Sequence, residues 1–297
     1  MSQVQELPVV WLQGGACSGC VVSVLNAVSP DIRQLLLEPV VPGRHVSLLF
    51  QPTIMAAAGE LAMKVLAGKE TKKGFVLCVE GSIPTAHHAY CTIGELDGKE
   101  LTMEEKTREL ASRALAVVAV GTCASFGGIP GSAPNPTGSK GVAALLKEAG
   151  IETPVINIPG CPPHPDWFVH TVASILLNGL PGPEALDDLG RPLEFYGKTV
   201  HESCPRRADF DAGKFAKKHG DPGCLYELGC KGPVTYADCP VRMWNSGVNW
   251  CVGANGPCIG CVEPGFLDQV SPLSVSYTHL RAHETSLHLV CRLLLEK

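Results

Sequence analysis

Fourteen cysteines in 297 residues constrain this chain more than any apolar pattern does. A chain of this length can build a real core, so it does not need cross-links for stability, and clustered thiols point instead to bound metal. The first pair, Cys17 and Cys20, lies in the loop Gln13-Gly-Gly-Ala-Cys-Ser-Gly-Cys20. Before it, residues 7–12 form an apolar run suited to a buried strand; after it, residues 21–28 suit a helix. Two thiolates do not complete a four-ligand site, so Cys17 and Cys20 require partners elsewhere in the chain.

The same alternation recurs. Strands are expected at residues 45–50, 74–81, 115–121 and 154–158, and helices at 56–66, 102–114, 140–149 and 166–178. Thr102-Met-Glu-Glu105 has the spacing of a capping box. Five strands alternating with helices predict an α/β fold, a doubly wound parallel sheet with helices on both faces. In such a sheet every strand-to-helix loop lies along one carboxyl edge, where ligands bind. Cys17 and Cys20 follow the first strand, Cys123 the fourth and Cys161 the fifth, so four thiols distant in sequence can meet at that edge.

Near Leu180 the character changes. Residues 180–183 and 190–192 read as linker, and residues 197–272 have few periodic apolar runs but many Gly, Pro and Cys. Such a segment buries too little apolar surface to order itself, and bound metal supplies the missing free energy. The chain thus divides into a sheet domain, residues 1–180, a small irregular domain, 181–273, and a tail, 274–297, which matches neither half and reads as foreign read-through.

Spacing suggests three ligand sets: Cys17, Cys20, Cys123 and Cys161; then His201, Cys204, Cys224 and Cys230; then Cys239, Cys251, Cys258 and Cys261. Four ligands suit either a tetrahedral zinc or an iron-sulfur cubane. Prolines directly after Cys161, Cys204 and Cys239 weigh toward iron-sulfur, because a Cys-Pro step recurs in cluster-binding loops. Cys78 reads as a core residue, Cys91 as an unpaired loop cysteine, Cys291 as part of the tail, and His87-His88 as a solvated pair. His164, between prolines beside Cys161, is a candidate for supporting a ligand.

A formal charge of -5 and a pI near 6.1 give no general attraction to nucleic acid or anionic lipid. No apolar run reaches the roughly 18 residues of a membrane span. Without a visible leader the chain reads as cytoplasmic, the alternative being a mature form after twin-arginine export to the periplasm or a membrane.

The motifs Trp11-Leu-Gln-Gly with Cys17-x-x-Cys20, Glu80-Gly-Ser-Ile-Pro84, Gly121-Thr-Cys123-Ala, Pro159-Gly-Cys-Pro-Pro-His-Pro165, His201-x-x-Cys204 and Cys258-Ile-Gly-Cys261 together resemble the small subunit of nickel-iron hydrogenases. The resemblance spans about residues 8–272. It implies a flavodoxin-like domain followed by an irregular iron-sulfur domain. It also implies three 4Fe-4S clusters: proximal on the first set, distal on the His201 set, medial on the third. Many relatives have proline where this chain has Cys251, and a three-iron medial cluster; a fourth thiol implies four irons and resembles the nickel-iron-selenium branch. Oxygen-tolerant relatives carry extra cysteines at positions matching Gly19 and Gly128, so a modified proximal cluster is not expected.

The implied function is electron relay between a hydrogen-activating centre on a separate large subunit and an external carrier such as a cytochrome or ferredoxin. No catalytic residue is expected on this chain. Glu80 is expected either to face the large subunit or to be a solvated strand end. Two alternatives stand beside this reading: a respiratory complex I-like iron-sulfur subunit, which shares the sheet and a proximal-type cluster, and a structural zinc protein.

Overall fold

The computed structural model describes residues 5–68, 71 and 74–267. The predicted tail and Cys291 lie outside the described residues. Seven strands occur among the described residues: β1 (Gln5–Gln13), β2 (Arg44–Phe50), β3 (Val76–Glu80), β4 (Thr92–Leu96), β5 (Lys99–Thr102), β6 (Ala116–Val120) and β7 (Val155–Ile158). Five of them form one parallel sheet in the order β2-β1-β3-β6-β7. Numbered among themselves, these strands run 2-1-3-4-5, the flavodoxin-like order, whose switch point lies between β1 and β3.

The helices of this half are α1 (Gly19–Leu25), α2 (Ile32–Leu37), α3 (Gly59–Leu66), α4 (Met103–Ala111), α5 (Thr122–Phe126), α6 (Val142–Glu148) and α7 (Pro165–Asn178). Alternate side chains of β1 feed two apolar layers. Val9 and Trp11 pack with α1 and α7, whereas Val10 and Leu12 pack with α3, α4 and α6. Every residue of β3 and β6 is buried, as a central parallel strand covered on both faces requires. Cys78 is fully buried in β3, the core position expected of it.

The antiparallel pair β4–β5 was not anticipated from the sequence pattern. Its two-residue loop, Asp97-Gly98, has φ of 51° and 74°, as a tight hairpin turn demands. At Thr102 the side chain accepts from Glu105 N at 3.1 Å, capping α4 as expected; the Glu105 carboxylate meets the Thr102 hydroxyl at 3.2 Å.

Beyond α7 the helices are short: α8 (Leu193–Tyr196), α9 (Arg207–Asp211) and α10 (Cys239–Arg242). This region is less poor in buried apolar surface than its composition suggests. Phe195, Tyr196, Val200, Leu225, Trp250, Val252 and Val262 join the apolar cluster of β1, α1 and α7. The irregular segment therefore orders partly by packing on the sheet half.

Residues 190–192, expected to be linker, are instead a buried joint. Asn157 of β7 holds this turn, its N donating to Gly190 O at 2.8 Å and its side chain to Leu189 O at 2.6 Å. The Arg191 side chain, 4% exposed, donates to Asp187 Oδ2 at 2.7 Å and to Glu263 Oε1 at 3.2 Å. Glu263 also accepts from Tyr236 N at 2.8 Å. Removing one partner of a buried ion pair leaves uncompensated charge, so Arg191→Met is expected to cost about 3 kcal/mol. That loss reads as a lower unfolding midpoint of the protein at fixed concentration; an unchanged midpoint contradicts it.

Candidate metal centres

The first thiol set forms where the parallel strands end. Gly14 N donates to Glu80 O at 2.8 Å and Gly15 N to Ser82 O at 2.9 Å, so the loop after β1 is pinned to the loop after β3. Cys20 then opens α1, Cys123 opens α5, and Cys161 lies between β7 and α7. Burial pushes the Cys20 thiol far above its usual range, and the charges of Glu80, Cys123, Cys17 and Cys161 add to the effect. All four thiols of this set thus share one neighbourhood. Burial likewise raises Cys123 to about 11, partly offset by the backbone N–H of Ile129, and raises Cys161, with Cys17 adding to it. Buried thiols that repel one another's thiolate forms are stabilised by a cation among them.

Glu80 neither faces outward nor ends its strand in solvent. Its carboxylate is fully buried, accepting from Trp11 Nε1 at 3.0 Å, Gln13 Nε2 at 2.8 Å and Val21 N at 3.2 Å. It ties β1 to the start of α1 and places negative charge beside Cys20. Gly19 and Gly128 both lie against ligands of this set. A Cβ on Gly19 would stand 3.2 Å from Cys17 Sγ, and one on Gly128, at φ 55°, would stand 2.7 Å from Cys123 Sγ. A side chain at Gly128 therefore displaces Cys123.

The second set lines one cavity: His201, Cys204, Cys224 and Cys230 enclose it with Tyr226 and Val252. Cys204 N donates to His201 O at 3.2 Å, a turn that places imidazole and thiol together. His201 stacks edge-on against Phe210 at 4.6 Å, and burial lowers its pKa, favouring the neutral ring that ligates metal. Cys230 Sγ accepts from Cys258 N at 3.3 Å, so this set adjoins the third.

The third set, Cys239, Cys251, Cys258 and Cys261, lines a cavity of about 560 Å³. Cys161 of the first set lines it too. The Cys251 thiol donates to Cys258, which holds the Cys251 proton in place and lowers Cys258. Burial raises Cys239, with Cys261 and Cys258 contributing, while a hydrogen bond from Trp244 lowers it.

The structure thus gathers all twelve predicted ligands into the three predicted groups. None of the described cysteines is in a disulfide. Among the described residues no three His, Cys, Asp or Glu side chains converge on a single-ion position. A mononuclear zinc needs four donors about 2.3 Å from one point. The donor chemistry of the groups, four thiols in two of them and three thiols with an imidazole in the other, fits an iron-sulfur core.

Several supporting side chains escape sequence reading. Trp244 and Thr235 hydrogen-bond Cys239 and Cys258 respectively. Neither stands in a recognisable spacing to its cysteine, and neither leaves a local signal. His164, singled out beside Cys161, supports the third set instead. Its Nε2 meets Met243 O at 2.7 Å and its ring packs on Trp244 at 4.8 Å. Cys91 and the exposed His87-His88 pair, stacked at 4.4 Å, take no part.

Residues 196–274 match the family model for the C-terminal region of the NiFe/NiFeSe hydrogenase small subunit, and residues 17–175 match that for the 20 Kd subunit of NADH ubiquinone oxidoreductase. The periplasmic NiFeSe hydrogenase small subunit of Desulfomicrobium baculatum is 50% identical, covering 92% of this chain and 88% of that protein. The F420 non-reducing hydrogenase I small subunit of Methanosarcina mazei is 42% identical over 91% of this chain and 76% of its own. The solved structure of the reduced, active Ni-Fe-Se hydrogenase from Desulfomicrobium baculatum superposes with a TM-score of 0.84 at 48% identity, covering 91% of this chain and 99% of that one.

Proposed function

Because the chain belongs to the nickel-iron hydrogenase small-subunit family, we propose that its twelve gathered ligands hold three 4Fe-4S clusters. The protein is the iron-sulfur, electron-transferring subunit of a hydrogenase, an oxidoreductase whose hydrogen-activating centre lies on a separate large subunit. When bound, the clusters accept and release single electrons. This chain's residues fix their places. The first set is the inner, proximal site, the third is medial, and the His201 set is distal; residues 1–180 carry the first and 181–273 the other two. What supports this reading is the order of contact: Cys161 of the first set lines the third set's cavity, and Cys258 of the third donates to Cys230 of the second.

Neither alternative is favoured. A complex I-like protein accounts for the match over residues 17–175 but not for that over residues 196–274, and the relatives are hydrogenase small subunits rather than structural zinc proteins. Relatives named periplasmic favour export over the cytoplasmic reading, and among the described residues no helix is long and apolar enough to cross a membrane.

The external carrier docks beside His201. Beside that set the exposed Lys214, whose carbonyl accepts from Cys224 N at 2.9 Å, and the exposed Lys218 make no ion pair among the described residues, although the whole chain carries a charge of -5. Unpaired lysines at this rim favour an acidic carrier of the ferredoxin kind over a basic cytochrome. The rate of hydrogen-driven reduction of an acidic ferredoxin is expected to fall several-fold as ionic strength rises, and the paired change Lys214→Glu and Lys218→Glu to abolish that dependence. A rate indifferent to salt contradicts docking at this rim.

A further inference from the structure

Three loops, two from the first site and one from the third, meet at one buried hydroxyl. Thr122, 1% exposed, directly precedes Cys123. Its N–H donates to Gly160 O at 3.0 Å, and its Oγ1 accepts from Gly160 N at 2.9 Å, so it grips both sides of the residue before Cys161. The same Oγ1 donates to the carbonyl oxygen of Cys261, 139 positions away. Beside it the Cys161 N–H donates to the Cys261 thiol.

We infer that Thr122 is a positioning residue whose hydroxyl fixes the Cys261 loop against the Cys161 loop and so sets how the first and third sites face each other. The inference rests on reading these two sets as cluster sites. A hydroxyl is needed because one atom must both accept from Gly160 and donate to Cys261; valine has the same shape and does neither. In Thr122→Val the Gly160 N–H and the Cys261 carbonyl both lose their partner, and the cheapest relief is to draw the two loops apart. Each site keeps its four thiols. What changes is their mutual placement, and with it the magnetic and electronic coupling between the sites.

The test uses the assembled heterodimer, unsubstituted and carrying Thr122→Val or Thr122→Ser, each analysed for iron and sulfide and by EPR after full reduction. The expected result is a full iron count in all three, an altered spin-spin splitting between the first and third clusters in Thr122→Val, and the parent splitting restored in Thr122→Ser. Superimposable spectra for Thr122→Val and the parent overturn the role of Thr122 and leave the cluster assignment intact. An unsubstituted heterodimer lacking iron and sulfide overturns the assignment itself. Should Thr122→Val not assemble, amide exchange on the unsubstituted protein decides: the Gly160 N–H is expected to exchange as slowly as those of β6, and exchange at the rate of a surface loop overturns the proposal.

Discussion

Replacing Cys20 with alanine is expected to remove one entire cluster, about four irons per heterodimer, and to abolish hydrogen-driven reduction of any external acceptor. Cys20 is the most enclosed thiol of the first set by its neighbours. It senses all three companion thiols and Glu80, whose carboxylate is already held by Trp11, Gln13 and the Val21 N–H. On the proposed assignment the first set is the inner site that takes electrons from the large subunit, and its loss breaks the relay at the start. Isotope exchange between hydrogen and solvent, which needs no net electron exit, should survive. Cys78→Ala provides the contrast. That residue is more deeply buried than Cys20 and lies within β3 among Val76, Val118 and Val120, so it costs about 1 kcal/mol of packing and no iron. If Cys20→Ala keeps the full iron count, the first set is wrongly drawn.

The second large effect concerns Cys251. This residue is the exposed member of the third set, and its backbone N–H makes no hydrogen bond to another described backbone group, whereas its carbonyl accepts from Gly256 N at 2.8 Å. Proline lacks the N–H and is accommodated where none is used. Cys251→Pro is therefore expected to leave the fold intact while removing one ligand of four. The medial site should fall from about four irons to about three, and an oxidised 3Fe-4S EPR signal should appear where the parent shows none. An unchanged iron count shows that the fourth ligand lies elsewhere.

The meeting of the first four thiols was legible in the sequence for a physical reason. Strand-to-helix alternation dictates that the loops after β1, β6 and β7 share one edge, so Cys17, Cys20, Cys123 and Cys161 converge whatever their separation in the chain. What escaped reading depends on contacts between distant segments. Arg191 stands in a Gly-Arg-Pro turn that resembles linker, and only the placement of Glu263 and Asp187 makes it a buried joint. Glu80 could be located at the strand end, but its three donors come from β1 and α1, and they turn a surface-looking carboxylate inward. Thr122 carries no signal beyond its place beside Cys123. The β4–β5 hairpin is a different case, because Asp97-Gly98 is a local turn signal present in the sequence and overlooked among stronger helical patterns.

Three groups of four ligands, each proposed to hold a four-iron cluster, set the metal content of this subunit. Anaerobic iron and sulfide analysis of the small subunit from the purified heterodimer, together with EPR of its reduced and oxidised forms, tests it most directly. About twelve irons with matching sulfide and no 3Fe-4S signal on oxidation are expected. Bound zinc without sulfide, or a 3Fe-4S signal in the unsubstituted protein, contradicts it.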